Sequence, residues 1–317
     1  MSDRLLVEAR GLTKTYPARN GTPPFHAVKG IDFELARGEA FGFLGPNGAG
    51  KSSTMRMLAA ISPVSSGSLS VLGLDPAGDG PEIRARIGVV PQDDCLDREL
   101  TVRENLYVYG RYFGLKKQMI NERIVGLLAF AQLEEKADAQ VEMLSGGMRR
   151  RLTIARSLIN EPEILLLDEP TTGLDPQARH VLWERLYRLK HDGVTLIITT
   201  HYMDEAEQLC DRLVVMDGGK IVAVGSPREL IETNITREVL ELRFPVNAHA
   251  QIGERIRDAA LGERTEVLPD RVAVYADDGE EALAQVHAMS LEPITALVRR
   301  ATLEDVFLKL TGRSLID

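Results

Sequence analysis

The chain has 317 residues, of which 44% are hydrophobic and 27% are charged, with a formal net charge of −9 and a pI near 5.3. This composition is that of an ordinary globular protein of about two domains. The acidic balance argues against a broad basic surface that neutralises a nucleic-acid backbone, so we predict no nucleic-acid partner.

In chain order, the N-terminal MSDRLLVEARG lacks the apolar core of a signal peptide, and no apolar run reaches the ~20 residues that span a bilayer. Any role at a membrane would therefore need another chain. The apolar strands EAFGFLG, RIGVV, EILLLDEP and VTLIITTH alternate with helical patterns such as 177–191, which predicts an α/β domain with a largely parallel sheet. Between VVPQ and the strand at 161–169, the segment 101–160 reads as three or four inserted helices.

The pattern changes after Pro227, and the break at 226–236 is the predicted domain boundary. Strands EVLELRF, RTEVLP, RVAVYAD and ITALVRR, helices 249–260 and 280–290, and a last helix at 302–311 predict a small ferredoxin-like unit with one added helix. The two cysteines, Cys95 and Cys210, lack metal-ligand spacing, so we expect buried thiols in a reducing cytosol without a functional role.

The strongest motif is GPNGAGKSS, which fits GxxxxGK[ST] between a predicted strand and a predicted helix. Gly45 and Gly50 allow the backbone amides to curl around phosphate oxygens, and the helix N-terminus adds partial positive charge. Lys51 is expected to bridge the β- and γ-phosphates, and Ser52 to hold Mg²⁺. The motif predicts a nucleotide triphosphate site.

Polar residues also follow two other predicted strands. Asp168 and Glu169 end the run ILLLDE, and the carboxyl ends of parallel strands open into the ligand crevice. Asp168 is a candidate Mg²⁺ ligand, and Glu169 a candidate for orienting or deprotonating the water that attacks the γ-phosphate. His201, after VTLIITT, is a candidate for contacting the γ-phosphate or positioning the water.

These motifs, together with Gln92 in VVPQ, LSGGM, TGLD and TTH, occur in the order of ABC-type ATPase domains, which residues 4–230 resemble. The resemblance implies a P-loop NTPase (RecA-like) core with an antiparallel β subdomain and a helical signature subdomain at about 93–160, forming a domain at 1–230, followed by an α+β ferredoxin-like accessory domain at 236–317. It implies ATP and Mg²⁺ as ligands, with Gln92 linking Mg²⁺ and water to the helical subdomain. The implied ATP-binding loop consists of Gly45, Pro46, Asn47, Gly48, Ala49, Gly50, Lys51, Ser52 and Ser53.

Proteins of this family act as head-to-tail pairs, which implies a second copy of the chain as a partner. Ser145, Gly146 and Gly147 would then complete the γ-phosphate cage of the opposite copy, and Asp175 would reach across the dimer. A serine N-cap alone explains Ser145 but not the two glycines, which weaken a helix start. Met148 stands where glutamine is common in the family.

Tyr16 matches the family's adenine-stacking aromatic, with Phe25 as an alternative after the Pro- and Gly-rich insertion. Arg149, Arg150 and Arg151 point in different directions on a helix, so we expect solvated salt bridges. The aromatic-rich segment with Tyr107, Tyr109, Tyr112 and Phe113 is expected to form part of a groove for a cytoplasmic permease helix or to lie in the core.

Longer stretches around the signature and the tail ATLEDVFLKLTGR resemble the ATPase subunits of nodulation-factor and daunorubicin-type exporters. The resemblance implies an ATP-hydrolysing motor that drives a separate multi-span permease from the cytoplasmic face of the inner membrane. The alternatives are a soluble ABC ATPase acting in translation or DNA repair, and a ligand-sensing regulator. The first usually has two cassettes or long coiled coils, whereas this chain has one cassette and a short insertion. The accessory domain is expected to be regulatory or dimer-supporting.

Overall fold

The computed structural model describes residues 5–18, 23–245 and 248–312. It divides into two compact units, Met1–Ser226 and Pro227–Asp317. The helix Pro227–Asn234 packs against the helix Leu303–Thr311, so it belongs to the second unit. The first domain predicted from the sequence, 1–230, therefore extends into this helix.

The strands and helices of the first unit are, in chain order, β1 (Val7–Tyr16), β2 (Phe25–Leu35), β3 (Ala40–Leu44), α1 (Lys51–Leu58), β4 (Ser66–Val71), α2 (Gly80–Arg86), β5 (Ile87–Val90), α3 (Val102–Tyr112), α4 (Lys117–Ala131), α5 (Gly146–Ser157), β6 (Ile164–Asp168), α6 (Pro176–His191), β7 (Thr195–Thr200), α7 (Met203–Leu209), β8 (Arg212–Asp217) and β9 (Lys220–Gly225).

The central sheet has the order β5-β6-β7-β3-β8-β9, with β8–β9 antiparallel and the other neighbours parallel. Strands β3 and β7 are buried along their whole length, which explains why β3 is entirely apolar and why β7 has an apolar centre, although β7 also buries Thr195, Thr199 and Thr200. Because β6, β7 and β3 are adjacent and parallel, the residues that follow them meet at one edge of the sheet. This edge positions the phosphate loop, the acidic pair and the histidine.

A second, antiparallel sheet has the order β2-β1-β4 and shares a core with the central sheet and α1. Phe33 of β2 contacts Phe43 of β3 edge to face, with ring centroids 5.1 Å apart. The shared core fixes this sheet beside the phosphate loop. The predicted antiparallel β subdomain is confirmed.

Helices α3, α4 and α5 form the predicted helical insertion and have a separate core that includes Leu106, Ile124 and Leu152. The start of α3 is fixed by a capping box, in which Thr101 and Glu104 satisfy each other's backbone amides. Within this subdomain, α5 places the signature residues at its N-terminus.

The second unit contains, in chain order, α8 (Pro227–Asn234), β10 (Glu238–Arg243), α9 (His249–Asp258), β11 (Arg264–Val267), β12 (Val272–Ala276), α10 (Gly279–Ala288), β13 (Thr295–Arg300) and α11 (Leu303–Thr311). Its antiparallel sheet has the order β11-β12-β10-β13, and one face packs on α9 and α10 through residues such as Leu240 and Val274. The predicted ferredoxin-like order with an added helix is confirmed; residues 313–317 of the predicted domain lie outside the described residues.

Candidate nucleotide site

The phosphate loop joins β3 to α1 in a form that requires glycine. A Cβ at Gly45 would lie 2.3 Å from the carbonyl oxygen of Met216, and one at Gly50 would lie 2.5 Å from that of Ala27. Gly50 also has φ +103°, and Gly48 has φ +82° with open space around it. The loop therefore leads tightly into the N-terminus of α1, where free amides suit an anion.

Lys51 is the buried cation of the loop, with 5% of its surface exposed. Its Nζ donates to the carbonyls of Gly45 at 2.6 Å and Pro46 at 3.1 Å, and lies 3.8 Å from Glu169 Oε1. Burial lowers the pKa of Lys51, against the opposing effect of the Glu169 and Asp168 carboxylates. An additional anion here, such as a phosphate, would favour the charged ammonium.

Ser52 and Asp168 form an oxygen-rich group beside this lysine. Ser52 Oγ donates to Asp168 Oδ1 at 3.3 Å, and the Thr199 hydroxyl donates to the same oxygen. No cluster of His, Cys, Asp and Glu that could hold a metal occurs in the described ranges, so the candidate ligands are the hydroxyl and carboxylate of this pair and the Gln92 amide oxygen. Such hard oxygen donors fit Mg²⁺.

Glu169 is buried at the end of β6 and adopts a left-handed backbone with φ +46°. For a residue with a Cβ this conformation is costly, and such strain is common at functional sites. The Glu169 amide donates to the Thr199 carbonyl and hydroxyl, both at 3.1 Å, which holds the strained backbone in place. The carboxylate is therefore rigidly placed.

The two oxygens of Glu169 meet the other candidate catalytic residues. Gln92 Nε2 donates to Oε2 at 3.3 Å, and Thr172 Oγ1 donates to the same oxygen at 3.3 Å. His201 Nδ1 is 3.3 Å from Oε1, but the two atoms are not aligned for a hydrogen bond. The structure thus brings Gln92, Glu169 and His201 together beside Lys51.

A cavity of about 160 Å³ covers this group and is lined by Phe25, the phosphate loop, Gln92 and Glu169. Phe25 is 58% exposed, whereas Tyr16 is half-buried and its hydroxyl is 3.2 Å from Ser53 Oγ. Of the two candidate adenine-stacking residues, Phe25 lines the cavity and Tyr16 contacts a residue of its lining. The segment 19–22 of the insertion between them lies outside the described residues.

The signature residues line a different cavity, of about 470 Å³, together with Asp175. Ser145 caps α5, its Oγ accepting from the Met148 amide at 3.3 Å, and Asp175 caps α6 by accepting from Ala178 at 2.8 Å. The signature cavity and the phosphate-loop cavity share no lining residue. One copy therefore presents two separate half-sites.

Arg150 is a residue whose role the sequence did not predict. The expected solvated salt bridge is wrong for this side chain, since it is only 6% exposed. Burial lowers its pKa, and Glu205 is the foremost of the acidic groups that oppose the shift. Its guanidinium donates, at 2.5–3.2 Å, to the carbonyl oxygens of Pro91, Gln92, Asp168, Glu169 and Pro170.

Its neighbours behave differently. Arg149 pairs with Asp94 at 3.4 Å, and Arg151 donates to Gln132 Oε1 at 2.5 Å.

Of the two cysteines, Cys210 is buried as expected, but the expectation is wrong for Cys95, which is exposed. It lies in the loop after β5, where Arg156 binds its carbonyl at 2.7 Å and no core surrounds it.

A groove of about 460 Å³ is lined by residues of α3, the loop after β5 and Ile61. Tyr109 and Tyr112 line it, with Tyr112 80% exposed, and Tyr109 also packs against the helical core, as do Tyr107 and Phe113. The aromatic set is thus divided between groove and core. Arg156 lies over the Tyr109 ring at 4.7 Å, which links the groove to α5.

The sequence is similar to known proteins over nearly its whole length. A family model described as ABC transporter matches residues 28–172, and one described as the C-terminal domain of nodulation factor export protein NodI matches 249–312. The Nod factor export ATP-binding protein I of Ralstonia nicotianae is 47% identical over 98% of this chain and 95% of its own length. That of Rhizobium sp. (strain N33) is 50% identical over 91% of this chain and 93% of its own length.

Solved structures agree with the fold. The ATP-binding cassette MJ0796, in a dimeric post-hydrolysis state bound to ADP and Pi, has a TM-score of 0.64 and 27% identity, covering 69% of this chain and 98% of that one. The cbiO1 subunit from Clostridium perfringens has a TM-score of 0.64 and 30% identity, covering 81% and 95%. In the part of the chain that the structure describes, none of the helices combines the length and the apolar character needed to cross a bilayer.

Proposed function

The chain belongs to the ABC transporter ATP-binding proteins and is the ATP-hydrolysing subunit of an exporter, and we propose that it works by enclosing two ATP molecules between two head-to-tail copies. The observation that supports this proposal is that the candidate site residues line two separate cavities. Lys51 and Glu169 line one cavity, and Ser145 and Asp175 line another. A second copy, turned head to tail, supplies the missing half to each.

In this proposal the phosphate loop, Gly45–Ser53, binds the triphosphate of ATP at the N-terminus of α1, with Lys51 on the β- and γ-phosphates. Ser52, Asp168 and Gln92 would hold Mg²⁺, which would neutralise charge on the phosphate oxygens. Phe25 or Tyr16 stacks on the adenine. The chain thereby fixes the γ-phosphate beside Glu169.

Glu169 then orients the attacking water or accepts its proton, with Gln92 and Thr172 holding its Oε2. His201, beside Oε1, positions the water or contacts the γ-phosphate. Ser145 and the amides of Gly146 and Gly147 complete the cage from the opposite copy. Among the residues that the structure describes, a Cβ at Gly146 would meet nothing within 4 Å, which supports a requirement imposed by another molecule.

The groove beside α3 is the proposed receptor for a cytoplasmic helix of a multi-span permease. Arg150 and Arg156 of α5 bind the loop that lines the groove, and Arg150 also binds the Asp168 and Glu169 carbonyls. A shift of the loop is therefore transmitted through Arg150 to the backbone of Asp168 and Glu169 at the hydrolysis site. This docking would hold the protein peripherally at the cytoplasmic face of the inner membrane.

The test of the paired arrangement is Glu169→Gln, which keeps the shape and the ATP site but removes the carboxylate. We expect an ATP-dependent dimer in size-exclusion chromatography and loss of hydrolysis. Adding Ser145→Arg introduces a bulky charge into the cage and is expected to abolish the dimer, while ATP binding to the single copy survives. A Glu169→Gln variant that stays monomeric at saturating ATP and Mg²⁺ contradicts the paired arrangement; wild-type hydrolysis contradicts the role of Glu169.

A further inference from the structure

The signature cavity is lined in part by the apolar side chain of Met148, the third residue of α5. A glutamine amide nevertheless lines the same cavity. It belongs to Gln132, which ends α4 in a left-handed conformation with φ +55° and hydrogen-bonds back to the helix. The cavity therefore gains an amide from α4 where α5 offers a thioether.

Arg151 fixes the orientation of this amide. Its Nη1 donates to Gln132 Oε1 at 2.5 Å, and a guanidinium has no acceptor, so the oxygen must face Arg151. The Nε2 group is then a donor that no hydrogen bond within the described ranges uses. A donor oriented in this way suits an oxygen ligand.

The charge around Gln132 favours an anion. Arg151 also lines the cavity, and both burial and the neighbouring Arg185 guanidinium lower its pKa, which places two cations close together. Asp175 is the acidic residue of the lining, and its Oδ1 already accepts from the Ala178 amide. A phosphate would relieve the repulsion between the guanidinium groups.

Resting on the proposed two-copy arrangement, we propose that Gln132, held by Arg151, donates through Nε2 to a phosphate oxygen of the ATP bound by the opposite copy. Met148 has no donor group, so its thioether cannot make this contact. Gln132 is thus a nucleotide-binding residue of the signature half-site.

The rival interpretation is that the contact between Gln132 and Arg151 only joins α4 to α5. Gln132→Glu separates the two, because a carboxylate still accepts from Arg151 but presents a negative charge instead of a donor to the phosphate. Gln132→Ala removes both contacts. Alanine, glutamate and glutamine all carry a Cβ, so the cost of the left-handed backbone is similar for the three.

The experiment measures the ATP concentration for half-maximal dimer formation by light scattering, in the Glu169→Gln background. We expect Gln132→Ala to raise it about tenfold and Gln132→Glu to raise it further, as for the loss of one hydrogen bond to a charged group. Fluorescent-nucleotide binding to the single copy should be unchanged. The control is Gln118→Ala, on the first turn of α4 and outside the cavity lining, where Gln118 bonds Glu122 at 3.0 Å.

If Gln132→Glu dimerises at the same ATP concentration as its parent, the contact is only structural and the proposal for Gln132 is wrong. The same holds if Gln132→Ala leaves the midpoint unchanged. Failure of the Glu169→Gln parent to dimerise is a separate result, which overturns the paired arrangement itself.

Discussion

At the scale of single residues, Arg150 joins three parts of the site that are far apart in sequence. It binds carbonyls of the loop after β5, of β6 and of the turn that follows β6. Arg150→Ala leaves these buried acceptors without a donor, so we expect it to lower the free energy of unfolding by on the order of 3 kcal/mol. Urea denaturation measures the change.

The matched control is Arg149→Ala, one position earlier on α5. Arg149 is partly exposed, pairs with Asp94 and donates to the Leu144 carbonyl at 2.7 Å, so the expected loss is about 1 kcal/mol, less than for Arg150. Equal losses for the two variants would mean that the buried contacts of Arg150 contribute little. Arg150→Lys keeps the charge but loses the planar set of guanidinium donors, so its free energy of unfolding should lie between those of Arg150→Ala and the wild type.

Gly146 offers a second residue-scale test, because a Cβ there would meet nothing within 4 Å in the described part of the chain, apart from the adjacent residues and the backbone of its own helix. Gly146→Ala should not destabilise the single copy, and a gain of up to ~1 kcal/mol is expected from helix propensity. In the Glu169→Gln background it should weaken the ATP-dependent dimer, since the added methyl enters the cage. Thermal denaturation and size-exclusion chromatography measure the two effects.

Gly126→Ala is the control for this prediction. Gly126 lies inside α4, where a Cβ also meets nothing within 4 Å, and it does not line the signature cavity. It should give a similar gain in stability without affecting the dimer. If Gly146→Ala dimerises as readily as Gly126→Ala, close approach of a second copy to Gly146 is excluded.

At the scale of elements, buried strands were the most predictable from the sequence. Strands β3, β6 and β7 have apolar centres without alternation of polar residues, because parallel strands are covered on both faces. Elements that the sequence patterns did not predict include β9, which alternates half-buried and exposed residues at the sheet edge, and α2, which is only seven residues long. The sequence of β9 is a short apolar run and that of α2 covers only two helical turns, so periodicity alone defines the type of neither.

The candidate site was likewise predictable only where its residues are neighbours in sequence. The phosphate loop and the acidic pair are local sequence signals, and the sheet topology brings them together. The environments of Arg150 and Gln132 depend instead on packing between distant segments, such as Arg150 with Pro91 and Arg151 with Gln132. A run of three arginines contains no information about which one is buried.

The groove beside α3 gives a prediction at this scale. Tyr112 is exposed at its rim, and removal of its ring should weaken permease docking without disturbing the ATP site. We expect Tyr112→Ala to reduce transport in membranes. The ATPase activity of the isolated protein should stay within about twofold of the wild-type value, a smaller change than the loss of one hydrogen bond would cause. Vesicle transport assays and phosphate release measure the two activities.

Tyr187→Ala is the matched control, since Tyr187 is also strongly exposed but lies on α6, outside the groove. Its transport should equal that of the wild type. Unchanged transport in Tyr112→Ala, and likewise in a variant that also carries Ile61→Ser at the same rim, would rule out this groove as the docking surface.

At the scale of the whole molecule, the chain has separate cores in its two compact units. Every candidate nucleotide contact lies in the first unit. The second unit has its own polar network, in which Asp305 accepts from Arg299 at 2.8 Å and from Tyr275 at 3.2 Å. Because the cores are separate, we expect the two units to unfold separately. The regulatory or dimer-supporting role of the second unit stays a prediction.

Truncation tests this division of labour, and the boundary matters. Ending the chain after Ser226 removes α8 together with the unit it packs in, whereas ending it near Thr236 leaves α8 without α11. The Ser226 variant should bind ATP with an unchanged dissociation constant, and ATP should raise its melting temperature as it does in the full chain, because a ligand stabilises only the unit that binds it. Dimer stability or the turnover rate should change, since these are the properties assigned to the second unit. A folded Ser226 variant that no longer binds ATP would show that the second unit completes the nucleotide site, and unaltered dimerisation and turnover would remove its proposed regulatory role.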